Sequence, residues 1–279
     1  MSGKLYVIAT PIGNLGDVCP RTVEAISSCE FVLAEDTRVT IKLLSHFGIQ
    51  KRLVSCHEFN ESDRVKMLSH ANSQNHGVAL ISDAGTPLIS DPGYKIVQEA
   101  IALNMVVIPV PGPSAFLLAL VGSGLPCDRF VFEGFLPDKP TAQRKRLEVL
   151  SSERRTLIFY VSPHKVLKTL SLMQEVFGDR KACIAREITK FYEEFVRGTL
   201  EELKQNFSKR EILGEFVLVV AGAHEDAQDH ASEELLRKEI SAHLAAGLSV
   251  KDLSAAIAER YELKKSAIYK LAIDVASQE

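Results

Sequence analysis

Short apolar runs alternate with amphipathic stretches along the first half of the chain. Leu5–Ala9, Phe31–Ala34, Val78–Ile81 and Met105–Val110 carry almost no polar interruption, the pattern of parallel strands buried on both faces. Helical periodicity fills the intervals over Arg21–Ser28, the stretch that ends at His46, Ser62–Ser73 and YKIVQEAIAL from Tyr94. Downstream the balance changes. Phe130–Glu133, Thr156–Val161, Lys181–Ile188, Phe191–Gly198 and Glu215–Ala221 read as strands, with helices over Lys165–Phe177 and Thr199–Gln205. The pattern predicts a parallel α/β domain over residues 1–122 and a mixed α+β domain over 126–224, with the break at Gly122–Pro126. Glu225–Ser232 is polar and aperiodic, which predicts a linker. Helices over Glu233–Ala246, Val250–Tyr261 and Lys265–Ala276 then predict a helix-turn-helix-like module in residues 232–279.

The strand ends carry the chemistry. Ser82–Gly93 spends two Asp, two Gly and two Pro on twelve residues, where a simple reversal needs about four to six. Leu5–Ala9 is followed by Thr10-Pro11-Ile12-Gly13-Asn14-Leu15-Gly16-Asp17, and Val106–Val110 by Pro111-Gly112-Pro113-Ser114-Ala115 and an apolar helix to Val121. Open α/β sheets bind ligands at the carboxyl ends of their strands, so three such loops side by side predict one crevice. Glu35-Asp36-Thr37-Arg38 ends another strand, where Asp36 or Thr37 can cap the next helix and also serve a site. His57-Glu58-Phe59-Asn60-Glu61 lacks HExxH spacing and reads as a helix start rather than a metal site.

Composition narrows the classes. With 279 residues, 46% hydrophobic and 25% charged, the chain has the make-up of a soluble globular protein of two domains. A net charge of −3 excludes a polycation, so any nucleic-acid binding must rest on a local patch. Lys139–Lys168 supplies one, with eight Lys or Arg against Glu148 and Glu153, a net of +6. A solvated helix face is the alternative reading of that run. Residues 232–279 hold seven basic and eight acidic side chains and so lack that signature. Five scattered cysteines with no CxxC suit a reducing compartment and give neither a disulfide nor a zinc framework. Met1–Ala9 is too short for a signal peptide and no apolar segment is long enough to span a membrane, so a cytoplasmic protein is expected.

Several familiar ligand loops are missing. After Ala9 there is no GxGxxG, only Gly13-x-x-Gly16, and neither GxxxxGK[ST] nor GxSxG occurs. A small polar ligand held by backbone groups of three turns remains.

Thr10–Asp17, Glu35-Asp36-Thr37-Arg38, Ser82-Asp83-Ala84-Gly85-Thr86-Pro87 through Asp91-Pro92-Gly93, Pro111–Ala115 and Glu133-Gly134-Phe135-Leu136-Pro137 together resemble the tetrapyrrole-methylase-like S-adenosylmethionine methyltransferases. Within them the set is similar to the branch that 2′-O-methylates the ribose of a cytidine in 16S rRNA. The resemblance runs from residue 4 to about residue 222 and includes Arg186–Lys190 and Gly214-Glu215-Phe216. Pro11 and Asn14 stand where the wider family has the glycines of GxGxGD, which argues against a tetrapyrrole substrate more than against the cofactor.

The resemblance implies two α/β domains with S-adenosylmethionine in the cleft between them, no metal, and a homodimer acting on 16S rRNA in the small ribosomal subunit. It places Pro11, Ser82, Asp83, Ala84, Gly85, Ser114 and Ala115 on the cofactor from the first domain, and Leu136 and Arg186, with Glu187, from the second. A ribose hydroxyl needs help in losing its proton, and Asp36, Arg38, Glu187 and Lys190 are the candidates at strand ends. Lys139, Arg144, Lys145 and Arg146 are the candidates for holding RNA. Two other readings stand beside this one: a non-catalytic ribosome-associated RNA-binding protein, and a small-molecule methylase of the tetrapyrrole type.

Overall fold

A computed structural model of the chain describes residues 2–57, 60–223, 225–261 and 265–277. Glu58 and Phe59 of the candidate helix start lie outside the described residues. β1 (Lys4–Ile8), β2 (Phe31–Ala34), β3 (Arg52–Ser55), β4 (Gly77–Ile81) and β5 (Val106–Val110) form one parallel sheet in the order β3-β2-β4-β1-β5. α1 (Pro20–Ser28) and α2 (Thr37–His46) cover one face; α3 (Glu61–Ser73) and α4 (Tyr94–Ala102) cover the other. Alternation within the strands explains their uninterrupted apolar sequence. Phe31 and Leu33 pack with Leu68 and Ile96, whereas Val32 and Ala34 pack with Ile26 and Leu44. Only the short edge strand β3 lay outside the sequence prediction; its side chains are exposed or half-buried, so no continuous apolar run marks it.

Topology sets the ligand position. The chain leaves β1 toward β2 and β3, then crosses from β4 to β5 on the other side of β1. The carboxyl ends of β4, β1 and β5 therefore lie side by side at the point where the winding reverses.

The second sheet holds β6 (Phe130–Phe135), β7 (Thr156–Val161), β8 (Lys181–Arg186), β9 (Glu194–Thr199) and β10 (Phe216–Val220) in the order β6-β7-β10-β8-β9. β6 and β7 are parallel and the remaining pairs antiparallel. α5 (Ala115–Ser123) comes from the first sheet yet packs on this one, with Ala119 and Leu120 against Ile158, Cys183 and Val217. α6 (Pro140–Leu150), α7 (Val166–Phe177) and α8 (Leu200–Phe207) cover the opposite face through Leu147, Leu170 and Leu203. The basic run is thus partly α6, which buries Gln143, Leu147 and Leu150 on one side and leaves its cations outside. β8 stops before Ile188 and β9 starts after Phe191, where sequence alone extended both. Glu187 (φ 50°) and Thr189 (φ 68°) adopt left-handed backbone, which ends a strand ladder.

Met1–Gly222 forms one compact unit and Ala223–Glu279 another. In the second, α9 (Glu225–Ala245) begins earlier than expected, so the linker predicted over Glu225–Ser232 is helix instead. That stretch contains neither Gly nor Pro and starts with two acids, which favours helix even without an apolar face. α10 (Val250–Arg260) and α11 (Lys265–Ala276) complete a three-helix core of Leu236, Ile240, Leu253, Ile257, Ile268 and Val275. Ser249 caps α10 by accepting from the Asp252 amide at 3.2 Å. Among the described residues no helix is long and apolar enough to cross a membrane.

The seating of α5 on the second sheet depends on Gly122, where a Cβ would stand 2.3 Å from the Phe195 ring. Gly122→Val is expected to lower the unfolding free energy by about 1–3 kcal/mol through overpacking, read by urea denaturation. Phe195→Ala should recover part of that loss in the double variant. Strictly additive losses would show that the ring is not what the new side chain meets.

Candidate active site

Hydrogen bonds tie the four strand-end loops of the first sheet together. Thr10 and Gly85 exchange backbone bonds in both directions, at 2.8 and 3.0 Å. The Thr10 hydroxyl donates to the Ser82 carbonyl (3.1 Å), the Ser82 hydroxyl to the Gly85 carbonyl (3.2 Å), and the Thr86 hydroxyl to the Pro113 carbonyl (3.3 Å). The Asp36 amide donates to Asp83 Oδ1 at 2.9 Å. Within this lattice Gly85 sits at φ 81°, and the non-glycine residues Leu88 and Ser90 are held at 73° and 65°. Each left-handed non-glycine residue costs on the order of 1–3 kcal/mol, a strain that clusters at ligand clamps.

A cavity of about 380 Å³ opens beside these loops, with Ala84, Gly85, Asp91, Ser114 and Ala115 on the first-sheet side. The second sheet faces them with Phe135, Tyr160, Ser162, Ile188, Glu215 and Val217. These come from the carboxyl ends of β6, β7 and β8 and the amino end of antiparallel β10, so the mixed sheet presents one edge to the site.

Of the expected cofactor residues, Ala84, Gly85, Ser114 and Ala115 line this cavity. Pro11, Ser82 and Asp83 line a second hollow of about 260 Å³ on the same loops, with Val39 and Lys42. Leu136 packs on the core of the second lobe while its neighbour Phe135 lines the cavity, as strand alternation requires. The Arg186 Nε donates to the Leu213 carbonyl at 2.7 Å, and its guanidinium lies 5.9 Å over the Phe216 ring.

The four candidate proton-handling residues form two separate pairs. Asp36 caps α2, accepting from the Arg38 amide at 2.8 Å. The Arg38 guanidinium also grips both its carboxylate oxygens, at 3.0 and 2.6 Å. Hydrogen bonding to Arg38 holds the Asp36 pKa at about 2. Glu187 accepts from Lys190 Nζ and from the Glu215 amide, both at 2.9 Å, and Lys190 also reaches Glu215 at 3.1 Å. Burial would raise the Glu187 pKa, but these bonds outweigh it and keep the carboxylate below its usual range. Lys190 lies on the first loop, where a Cβ on Gly13 would come within 2.4 Å of its Cγ. That close approach requires glycine at position 13.

The basic run is better balanced in space than along the chain. Arg146 binds both oxygens of Glu133 at 2.7 Å, Arg144 pairs with Glu175, and Lys165 meets Asp138 at 2.5 Å. All three acids come from outside the run, which is why a count along the sequence missed them. Lys139 and Lys145 are exposed.

Asp91, Tyr160, Ser162 and Glu215 also line the cavity; none was expected as a site residue, although Asp91 and Glu215 fall in stretches that carry the resemblance. Asp91 closes the long loop, and Ser162-Pro163 repeats at β7 the strand-end punctuation of the first sheet. Burial, with the charges of Glu35 and Asp83 behind it, pushes Asp91 up to about 6 against a hydrogen bond from Ser82. Burial and Asp83 raise Glu35 as well, and burial raises Tyr160. Among the described residues lining the cavity the charged ones are Asp91 and Glu215; none is Lys, Arg or His.

A family model described as Tetrapyrrole (Corrin/Porphyrin) Methylases matches residues 4–204. The chain belongs to this family. It is 43% identical over 274 residues to ribosomal RNA small subunit methyltransferase I of Synechocystis sp., covering 98% of both chains. The protein of that name from Pseudomonas aeruginosa is 43% identical over 277 residues, covering 98% of this chain and 97% of its own length. Among solved structures, the methyltransferase CobJ superposes with a TM-score of 0.58 at 19% identity, covering 80% of this chain and 95% of CobJ. Uroporphyrin-III-C-methyltransferase from Thermus thermophilus gives 0.55 at 18%, covering 78% of this chain and 94% of its own. These two likenesses are of fold.

The protein is a methyltransferase whose methyl donor is S-adenosylmethionine, and the cavity suits that molecule. Its volume is that of a small-ligand site. Phe135 and Tyr160 offer aromatic surface for a purine, the Ser114 hydroxyl is not spent on capping α5, and carboxylates are the charged groups available to a cation. When bound, the donor supplies an electrophilic methyl on a positively charged sulfur. Ala84 is exposed at the cavity wall, so Ala84→Phe should fill the cavity without disturbing the core. Calorimetric binding of S-adenosylmethionine and S-adenosylhomocysteine should fall at least about tenfold, with an unchanged thermal melt. Wild-type affinity in the folded variant would place the donor elsewhere.

Proposed function

We propose that the protein 2′-O-methylates the ribose of a cytidine in the 16S rRNA of the small ribosomal subunit. One observation carries the substrate class. Relatives named for small-subunit ribosomal RNA align over 97–98% of their own length, through the C-terminal helical unit, at 39–43% identity in Synechocystis, Pseudomonas aeruginosa and Pasteurella multocida. CobJ and uroporphyrin-III-C-methyltransferase share the fold over 78–80% of the chain at 18–19% identity, a level at which fold carries no substrate.

In this reading Ala84, Gly85, Ser114 and Ala115 hold the donor from the first lobe and Phe135, Tyr160 and Val217 hold it from the second. Pro11, Ser82 and Asp83 face the acceptor in the second hollow, with Lys42 in its wall for a phosphate and Arg38, next to the wall residue Val39 in sequence, exposed for another. Methyl transfer then depends mainly on alignment of the hydroxyl behind the methyl carbon, which rigid loops supply. Asp36, with a pKa of about 2, is a weak base, so its pairing with Arg38 serves to position that guanidinium rather than to take a proton. Glu187 and Lys190 lock the second lobe onto the Gly13 loop. Lys139 and Lys145, with Arg144 and Arg146 behind their ion pairs, guide the RNA. The protein acts as a homodimer, a reading supported by large apolar side chains left in water, Phe191 (92% exposed), Val121 (71%) and Tyr192 (69%).

Small subunits lacking the modification are the test substrate. Labelled methyl should enter one cytidine of 16S rRNA and survive alkaline hydrolysis as an alkali-resistant dinucleotide, the mark of a 2′-O-methyl. Label on a base, or on a tetrapyrrole and not on RNA, would overturn the reading. Reversing Lys139 and Lys145 to Glu should weaken RNA binding and reduce the slope of log affinity against log salt by about two, because each phosphate that a cation neutralises adds roughly 0.9 to that slope. Removal of residues 223–279 should spare donor binding and impair methylation of the assembled subunit.

A further inference from the structure

The cavity is electrostatically one-sided. Asp91 and Glu215 are the charged groups among its described lining residues, and the two are not equivalent. Glu215 is answered by Lys190 at 3.1 Å. Asp91 is not answered in kind. The groups acting on it are Glu35 at the end of β2, Asp83 and Ser82 after β4, and Tyr160 on β7, and no cation is among them. Two carboxylates behind a third repel it, and burial adds to the cost of charging it. The fold nevertheless places Asp91 there by force. Leu88 and Ser90 just before it are held in left-handed backbone, and Ser90 lies against β6 where its register with β7 shifts between Phe132 and Gly134, so that a Cβ on Gly134 would come within 3.1 Å of the Ser90 Oγ. A half-buried carboxylate kept at a binding wall with negative neighbours is ready for a cation brought by the ligand.

We propose that Asp91 is the residue by which the cavity distinguishes the sulfonium methyl donor from the product of transfer. Transfer breaks the methyl–sulfur bond and forms a methyl–oxygen bond to the acceptor; sulfur keeps the electron pair of the broken bond and turns from a cation into a neutral thioether, while the proton of the acceptor hydroxyl passes to water. The rest of the molecule is unchanged. Purine, ribose and amino acid contacts therefore bind donor and product alike, and only a charge contact at the sulfur tells them apart. Losing that attraction at the moment of transfer weakens the hold on the product and favours its release.

The sign of the pH dependence follows. Asp91 titrates at about 6, and the cation binds its deprotonated form. Affinity for S-adenosylmethionine should rise as pH increases from 5 to 7, whereas affinity for S-adenosylhomocysteine should stay level. Both ligands carry the same amino acid end, whose own titration cancels in their ratio. If the bound cation lowers the Asp91 pKa by about one unit, the ratio changes about tenfold across the transition.

The inference rests on the donor occupying this cavity, and the experiment separates the two. Calorimetry is run with S-adenosylmethionine and S-adenosylhomocysteine on the full chain, without RNA, at pH 5, 6 and 7, for the wild type, Asp91→Asn and Ala84→Phe. The expected result is a donor-to-product affinity ratio that climbs about fivefold from pH 5 to pH 7 in the wild type, most of the tenfold change of the full transition, and is low and flat in Asp91→Asn. A flat ratio in the wild type overturns the proposal without recourse to any variant, and so does a wild-type ratio in folded Asp91→Asn. If Ala84→Phe leaves both ligands bound, the placement of the donor fails instead. The identity of the acceptor does not enter.

Discussion

Two backbone hydrogen bonds between Thr10 and Gly85 hold the site in place. They join the loop after β1 to the loop after β4, the two strands that meet where the sheet reverses its winding. Every other loop contact builds on that bridge. Ser82 and Thr10 brace it from within, Thr86 extends it to Pro113, and Asp83 extends it to the amide of Asp36. Backbone pairing demands that Gly85 take a left-handed conformation, and the loop beyond must then turn through Leu88 and Ser90 in the same unfavourable region. Local strain and long-range hydrogen bonding are thus two sides of one constraint. The first fixes where the loop points, and the second prevents it from relaxing.

This constraint also explains how two sheets of different type make one site. A parallel sheet gathers its loops at one end, whereas a mostly antiparallel sheet scatters them over both. The second lobe resolves this by pairing β6 and β7 in parallel and by entering β10 from the same edge, so that Phe135, Tyr160 and Glu215 face the loops of the first. α5 secures the arrangement, because it starts at Ser114 in the site and buries Ala119 and Leu120 against the second sheet.

Much of this was legible in the sequence because each signal was local. The inner strands β1, β2 and β4 show as uninterrupted apolar runs, and so does β5, which was expected to be buried on both faces but is an edge strand with Val106 and Pro109 exposed; the loops show as Gly, Pro and Asp where an ordinary turn would be shorter. Those signals marked the loops, and the family resemblance named Ala84, Gly85, Ser114 and Ala115 within them, all four of which line the cavity. What was not legible depended on partners distant along the chain. The cations of the Lys139–Lys168 run look unbalanced until Glu133, Glu175 and Asp138 are brought beside Arg146, Arg144 and Lys165. Leu136 and Phe135 are equally apolar as letters, and only the facing of β6 decides which meets the cavity. Glu225–Ser232 lacks the periodicity that marks a packed helix, yet nothing in it breaks one.

The distribution of charge suits the two substrates that the proposed reaction must handle. An anionic polymer calls for cations at the surface, and the exposed Lys139 and Lys145 lie outside the cavity. A sulfonium calls for the reverse inside. A lysine or arginine among the lining residues would repel the donor in a low-dielectric pocket, where a like charge is screened far less than in water. The sequence keeps such residues out of that wall and commits its cations near the cavity to carboxylates, as Lys190 is committed to Glu187 and Glu215. On the proposed function, attraction of RNA and retention of the donor are kept apart in space, as binding both a polyanion and a cation requires of one small protein of net charge −3.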